Sequence, residues 1–521
     1  MAIVVAGVAL RLPRLEMRPM HTDEAVHAVK FGNLLEEGTY QYDPHEYHGP
    51  ALTYFTLPAA WLSGIGTYPE LTETTLRIIP VLFGLSLILI ILLVRKDLGW
   101  PGTTAAAFFT AISPAMVFYS RYYIMEILLV CFLGGIIFTG WRYYQTRAPG
   151  WALALGVSLG LLYATKETSI VFLGSMVVSL LIVAYLRGNS WQSMVQQISN
   201  TPRRHVLYIV LAALGVGALF YSSFFSYPRG VLDSIRTFQT YFSRGAGETN
   251  AHIQPWYYYL HILLFWKYAP GPFWSEAPIV ILAGIGIIAA FRKKAPFTSG
   301  RLLLQFIALF TIIALIIFSV ISYKTPWNLL GFHYGLIILA GAGVAYSFYI
   351  LTKQWERITL AVVLILGSFF LLWQTYITNF EYSADARNPY VYGHTSTDIY
   401  TIVRYVEKVA SVHPDGKAMY IEVIAPGGDY WPLPWYLRTY STVGWWDRVD
   451  FESEPAPVIL AKPGVEQDLL KLFYAVPPPG ERDLYVPLFR EYLELRPHVE
   501  LRGYVKNDLW ERVSNNPPTM N

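Results

Sequence analysis

Ten long apolar runs dominate the chain, at 76–94, 101–118, 122–141, 151–163, 169–186, 206–225, 273–291, 302–321, 329–351 and 358–377. Most approach the ~20 residues that a helix needs to cross a bilayer. The run 151–163 is short and must borrow residues at its ends. In hydrocarbon, only a backbone that satisfies its own hydrogen bonds survives, so such runs must fold as helices or close into a barrel, and their length selects helices. The opening stretch 1–12 is apolar but about half a span, and reads as a first helix whose beginning is missing. Counting it gives eleven spans. Composition agrees. Apolar residues make up 54% of the 521 and charged ones 14%, where soluble proteins carry about 25% charged. A net charge of +3 leaves no nucleic-acid footprint, and the single cysteine excludes an intrachain disulfide. The expected fold is a polytopic α-helical membrane protein of about eleven transmembrane helices.

Loop charge sets the orientation. One alternate set of loops holds 13 basic residues, from Arg95 and Lys96 to Lys353 and Arg357, against the acids Asp97 and Glu356. The opposite loop 14–75 carries nine acids and three bases. The basic loops are therefore read as cytoplasmic, with 14–75, 227–272 and everything after about 380 extracytoplasmic. An odd number of spans delivers the C-terminus to that same side. This places the protein in the cell membrane, with residues 1–380 as the transmembrane domain. Residues 381–521 differ in kind: strand-like runs at 418–424 and 458–461 alternate with a helix-like run at 465–473. That mixture predicts a small extracytoplasmic α/β domain.

The candidate chemistry collects at the outer edge. Asp23 and Glu24 follow the first span and open a stretch, 24–36, with helical periodicity. A helix dipole favours carboxylates at its N-terminus, and plain capping of that helix is the bland alternative. Glu126, in Ser120-Arg121-Tyr-Tyr-Ile-Met-Glu126, falls inside the fourth span, where a charge costs ~2.5–3.5 kcal/mol and implies a partner and a role. Arg121 sits five residues before it, so a structural ion pair between them is the competing reading. Lys166-Glu167 and Tyr323-Lys324-Thr-Pro-Trp327-Asn328 occupy two further outer turns, and His252 stands in the loop 227–272. Carboxylates and cations arriving at one membrane depth describe a pocket for an anionic lipid headgroup with acids available for proton transfer. Asp23, Glu24 and Glu126 are the catalytic candidates; Arg121, Lys166, Lys324 and His252 are the candidate ligands of a donor phosphate. Oxygen ligands suit Mg²⁺ or Mn²⁺, so the three carboxylates could hold a divalent cation, although Arg and Lys alone can neutralise a single phosphate. In the tail, Asp429 stands among Tyr430, Trp431, Trp435, Tyr436 and Arg438, with Trp445-Trp446-Asp447 following. Aromatic faces beside polar groups suit a sugar, while ordinary core packing explains the aromatics equally well.

These motifs resemble the GT-C superfamily of lipid-linked-sugar glycosyltransferases, in the branch of dolichyl-phosphate-mannose–protein mannosyltransferases and the lipid A aminoarabinose transferase. The resemblance covers roughly residues 1–380 and includes its prokaryotic, flippase-associated members. It rests on Asp23-Glu24, on His48-Gly-Pro50 with Leu52 and Tyr54, on Ser120-Arg121…Glu126, on the Thr165-Lys166 turn, and on His252 with Pro255-Trp256-Tyr257. His48-Gly-Pro replaces the usual His-Pro-Pro or Lys-Pro-Pro, and Glu126 stands where Asp is frequent. The resemblance implies inverting transfer of a hexose or pentose from a polyprenyl-phosphate donor to a hydroxyl on a glycan, lipid or protein. His48 then becomes a candidate substrate contact, while Asp429, in the tail that the resemblance does not cover, is the candidate substrate contact that would present the acceptor. A polytopic lipid or sugar transporter, or a flippase component without transferase activity, is the rival reading, and would more often show inverted repeats with broken helices at the midplane.

Overall fold

The computed structural model describes residues 1–45, 48–188, 200–245, 252–480 and 482–515. They form two compact units. The first comprises Met1–Leu15, Glu37–Ser63 and Thr74–Tyr392; the second comprises Glu16–Glu36, Gly64–Glu73 and Gly393–Asn521.

The first unit is helical, and each of the apolar runs contributes helix to it. Among the described residues, seven helical segments are long and apolar enough to cross a membrane: Glu73–Ile112, Glu126–Thr146, Ser169–Leu186, Arg203–Tyr221, Arg301–Val320, Pro326–Ile350 and Gln354–Glu381. Glu73–Ile112 spans 40 residues and joins two of the sequence runs across a break at Gly99, whose φ is 68°. The runs 1–12, 151–163 and 273–291 form the shorter apolar helices Ala2–Arg11, Pro149–Tyr163 and Ala277–Phe291. A fourth, Ala51–Leu62, lies in the stretch read from sequence as loop.

Close helix contact depends on small residues, as it must where lipid supplies no hydrophobic drive between helices. A Cβ on Gly286 would lie 1.9 Å from the Leu339 carbonyl oxygen, and one on Gly343 2.0 Å from that of Leu282. Pro326–Ile350 is thereby packed on several sides, with 89% of its apolar window buried, and Glu126–Thr146 reaches 78%. These two most buried helices carry Trp327-Asn328 and Glu126 at their first turns.

The second unit is built on a mixed sheet of order β2-β1-β3-β6-β4, with β5 paired to β6. The strands are β1 Ile421–Ile424, β2 Val443–Trp446, β3 Val458–Ala461, β4 Tyr485–Pro487, β5 Leu493–Arg496 and β6 Val499–Lys506. β2, β1 and β3 run parallel, and β6 is antiparallel to β3, β4 and β5. Strand alternation separates two cores. Ile421, Val423, Val458 and Leu460 pack with Ile399, Ile402 and Val406 of the helix Asp398–Ala410. Ile424, Ile459 and Ala461 face Leu469, Leu472 and Phe473 of the helix Glu466–Tyr474. Helices thus cover both faces.

This unit also holds the helix Thr22–Glu37, which sequence division at residue 380 assigns to the transmembrane part. Its attachment is by hydrogen bonds between segments remote in sequence. Met20 N donates to Tyr436 Oη at 2.9 Å, Thr395 Oγ1 to the Met20 carbonyl at 2.6 Å, and Trp435 Nε1 to Glu73 Oε1 at 2.8 Å. Tyr68 packs where a Cβ on Gly32 would sit, 2.5 Å from its ring.

Candidate active site

In the helical unit, the turn between Pro149–Tyr163 and Ser169–Leu186 carries two ionic contacts side by side. Lys166 Nζ donates to Glu126 Oε1, and both residues are only 3–4% exposed. Glu126 is the first residue of Glu126–Thr146, where the helix dipole favours its charge. Its partner is Lys166, not Arg121: an offset of five residues with a non-helical turn between leaves the two pointing apart. The Arg121 guanidinium instead closes the end of Ala2–Arg11, donating to the carbonyls of Leu10, Arg11, Pro13 and Arg14 at 2.7–3.4 Å. Phe380 stacks beneath it at 4.7 Å.

Next to Lys166, the buried Glu167 holds His48. His48 Nδ1 lies 2.7 Å from Glu167 Oε2, and Tyr42 Oη donates to Oε1 at 3.3 Å. Burial pushes the Glu167 carboxyl up, but the His48 charge and hydrogen bond, a backbone hydrogen bond and the Lys166 charge together outweigh it, and the group sits below its ordinary value. The His48-Gly-Pro turn reaches this place because position 49 is glycine: a Cβ there would lie 2.3 Å from the Ala164 carbonyl oxygen. That same oxygen accepts from Ala51 N at 3.0 Å.

Beyond Glu126, the space is lined by Thr168, Phe172, Trp327 and Asn328. The Trp327 ring contacts Tyr119, Tyr122 and Tyr392, with centroids 6.0–6.5 Å away. Tyr392 Oη lies 2.6 Å from His252 Nδ1, so His252 reaches the group through an aromatic relay. Lys324 is buried and donates to the Ile321 and Gln254 carbonyls at 2.5 and 3.0 Å. Burial lowers its pKa.

In the second unit, His21 caps Thr22–Glu37 with its side chain: Asp23 N donates to His21 Nδ1 at 3.0 Å, while His21 N donates back to Glu24 Oε2 at 3.0 Å. This is a reciprocal capping box with histidine in the Ser/Thr role. Glu24 is fully buried and 3.6 Å from the Arg18 guanidinium. The Asp23 side chain is 36% exposed, 3.7 Å from the His21 ring. Capping therefore employs Glu24 and His21, and leaves the Asp23 carboxylate facing outward. Asp429 is bracketed by Lys462 Nζ at 2.5 Å and by the Arg496 guanidinium. Trp435 is buried, and Arg438 stacks over it at 3.8 Å while donating to the Leu71 carbonyl, so both serve packing.

Among the described residues, no three His, Cys, Asp or Glu side chains converge as a metal site. The donor set does not fit a divalent ion either, because Glu24 faces Arg18 and Glu126 faces Lys166, each carboxylate already neutralised. Sequence reasoning passed over a further polar knot. Glu276, fully buried, accepts from Ser113 Oγ (2.6 Å), Ala115 N (2.9 Å) and Tyr390 Oη (2.7 Å), with His333 Nε2 at 2.9 Å. Its signal was present, since Glu276 and His333 are ionisable residues at or within apolar runs.

Residues 57–202 match the family model for dolichyl-phosphate-mannose–protein mannosyltransferase. No curated protein matches by sequence. Among solved structures, the chain is similar to ArnT from Cupriavidus metallidurans in the apo state, with TM-score 0.62, 15% identity and 98% of each chain covered. ArnT bound to undecaprenyl phosphate gives 0.59 at 16% identity, covering 96% of this chain and 97% of that one. The Archaeoglobus fulgidus oligosaccharyltransferase tethered to an acceptor peptide gives 0.53 at 13% identity, over 88% of this chain and 68% of that one. The fold is the GT-C fold. Within the GT-C fold of this chain, the family match covers Glu126, Lys166 and Glu167 but begins after Asp23 and His48.

Proposed function

We propose that this protein is a membrane glycosyltransferase that moves a hexose or pentose from a polyprenyl-phosphate donor to an acceptor hydroxyl, with inversion, at the extracytoplasmic face of the cell membrane. The observation that carries the reading is the turn 164–168, where a buried Lys166–Glu126 pair and a His48–Glu167 pair stand together in a chain of GT-C fold. The positive-inside charge count supports the orientation.

Lys166 supplies positive charge and His48 a ring nitrogen to the donor phosphate, and Glu126 and Glu167 hold them in place before the lipid arrives. Asp23 is the base to which the sequence reading gives the acceptor proton; general-base help of this kind is worth about 10²–10⁴-fold. The acceptor oxygen then bonds to the anomeric carbon as the bond from that carbon to the phosphate oxygen breaks. The electron pair leaves with the lipid phosphate, where Lys166 and His48 stabilise it. Arg121 and Lys324 hold backbone carbonyls around the site, and His252 positions Tyr392. Acceptors of the three classes, glycan, lipid and protein, all offer the required hydroxyl.

The test is transfer from radiolabelled polyprenyl-phosphate sugars in membranes containing the protein. Label should move to an acceptor with wild type and stay on the lipid with Asp23→Asn. Lipid flipping without transfer, over donors carrying hexoses and pentoses, would overturn the reading in favour of a transporter.

A further inference from the structure

In the second unit, β1 and β3 lie side by side and parallel, while β2 follows β1 on its other edge. The chain therefore leaves the carboxyl ends of β1 and β3 in opposite directions. Open α/β sheets bind ligands in the crevice that such a switch point leaves. Here the first residues past those ends carry charge. The β1 exit is Pro426-Gly427-Gly428-Asp429, with φ of +76° and +69° at the two glycines, a conformation that turns the chain and exposes it. Gly428 N donates to Asp447 Oδ1 just past β2, at 3.3 Å. The β3 exit begins at Lys462, whose N donates to the Ile424 carbonyl at 3.0 Å and whose Nζ meets Asp429 across the crevice. Arg496, at the end of β5, closes the third side: it holds Asp429 and donates from Nη1 to Thr22 Oγ1 at 3.1 Å. Asp23 is the next residue after Thr22.

We propose that this crevice binds a carbohydrate, and that the sugar is the acceptor whose hydroxyl Asp23 deprotonates. The inference rests on the transferase reading for the word acceptor, and on the crevice alone for the word carbohydrate. Three observations select that ligand class. The charges nearly balance, with Asp23, Asp429 and Asp447 against Lys462 and Arg496, so an anion must compete with Asp429 for both cations. Asp429, Lys462 and Arg496 are 30%, 29% and 19% exposed, so the cluster is partly open to solvent, while Arg496 Nε is buried with no hydrogen-bond partner among the described residues. Carboxylate acceptors beside Lys and Arg donors match the paired donor–acceptor character of sugar hydroxyls. Tyr430, tilted at 39° against Trp445 with centroids 4.8 Å apart, packs on the domain core, and the half-buried Trp431 beside it supplies an apolar face for sugar C–H groups.

The experiment uses the purified full chain in detergent with no donor present. The probes are methyl glycosides of mannose, glucose, galactose, N-acetylglucosamine and arabinose, in both anomers. Inorganic phosphate and a Ser/Thr-rich peptide serve as competitors, and saturation-transfer NMR with tryptophan fluorescence gives the readout. At least one glycoside should bind saturably. Asp429→Asn, Arg496→Lys and Trp431→Ala should each weaken it by about tenfold or more, the effect of losing one charge-assisted contact or a stacking face. Lys471→Ala, on the outer helix Glu466–Tyr474, should bind as wild type. Variants that unfold at the wild-type temperature yet bind equally well would overturn the proposal. So would phosphate or peptide binding at the crevice in place of every glycoside, or no saturable glycoside binding at all. Glycoside binding without sugar transfer supports the crevice and overturns the transferase; transfer without glycoside binding overturns the crevice alone.

Discussion

Removing one member of the Lys166–Glu126 pair should hurt far more than removing both. Glu126 and Lys166 are 3% and 4% exposed, so neither can recruit water when its partner goes. Leaving one buried charge unpaired costs about 3–5 kcal/mol, whereas replacing a whole pair by apolar residues of similar volume is often close to neutral. Lys166→Met should therefore lower the unfolding midpoint in detergent clearly, and Glu126→Leu likewise. The double variant should recover most of the loss, giving a coupling energy of about 2–4 kcal/mol in a double-mutant cycle. Activity must not follow stability. The double variant presents no cation at position 166, and losing one preorganised group that stabilises a leaving charge costs about 10²–10³-fold in turnover. The assay is intrinsic-fluorescence unfolding beside transfer from a labelled polyprenyl-phosphate sugar. Additive losses of stability would refute the buried pair, and a stable, fully active double variant would refute its role in the donor site.

Three further outcomes are expected. Asp23→Asn should abolish transfer at near-wild-type stability, because His21 and Glu24 do the capping; normal activity with a loss of about 1 kcal/mol in stability would return Asp23 to a capping role. Gly49→Ala, with its Cβ 2.3 Å from the Ala164 oxygen, should lift the His48 turn off the 164–168 turn, costing about 1–3 kcal/mol and raising the donor KM; an unchanged KM would separate His48 from the donor. Glu167 has a folded pKa below its ordinary value of about 4.3, so its contribution is complete above that value and is lost as pH falls through the lowered one. The stability advantage of wild type over Glu167→Gln should accordingly shrink on acidification below about pH 4, and an advantage constant from pH 7 to 3 would contradict the assignment.

What the sequence determined by itself is what the bilayer forces. Length and apolarity go far toward specifying a spanning helix, because hydrocarbon allows no unpaired backbone, and each apolar run contributes helix for that reason. Two of the six tail strands were legible too: 418–424 contains β1, and 458–461, an unbroken apolar run, forms the central strand β3, buried on both faces. The presence of carboxylates and cations at the ends of spans was equally visible at Asp23, Glu126, Lys166 and His252. Which charge meets which was not. Glu126 finds Lys166 forty residues on, and Arg121, nearer in sequence, turns to the carbonyls of the first helix. Glu276 gathers donors from positions 113, 115 and 390, and Arg496 reaches Thr22 across 474 residues. The same holds for the unit to which Asp23 belongs: its helix folds with residues 393–521 through bonds such as Met20 to Tyr436. Hydropathy acts residue by residue along the chain and survives any arrangement of the helices. An ion pair exists only where packing brings two particular side chains within ~4 Å, and that distance is set by tertiary structure alone.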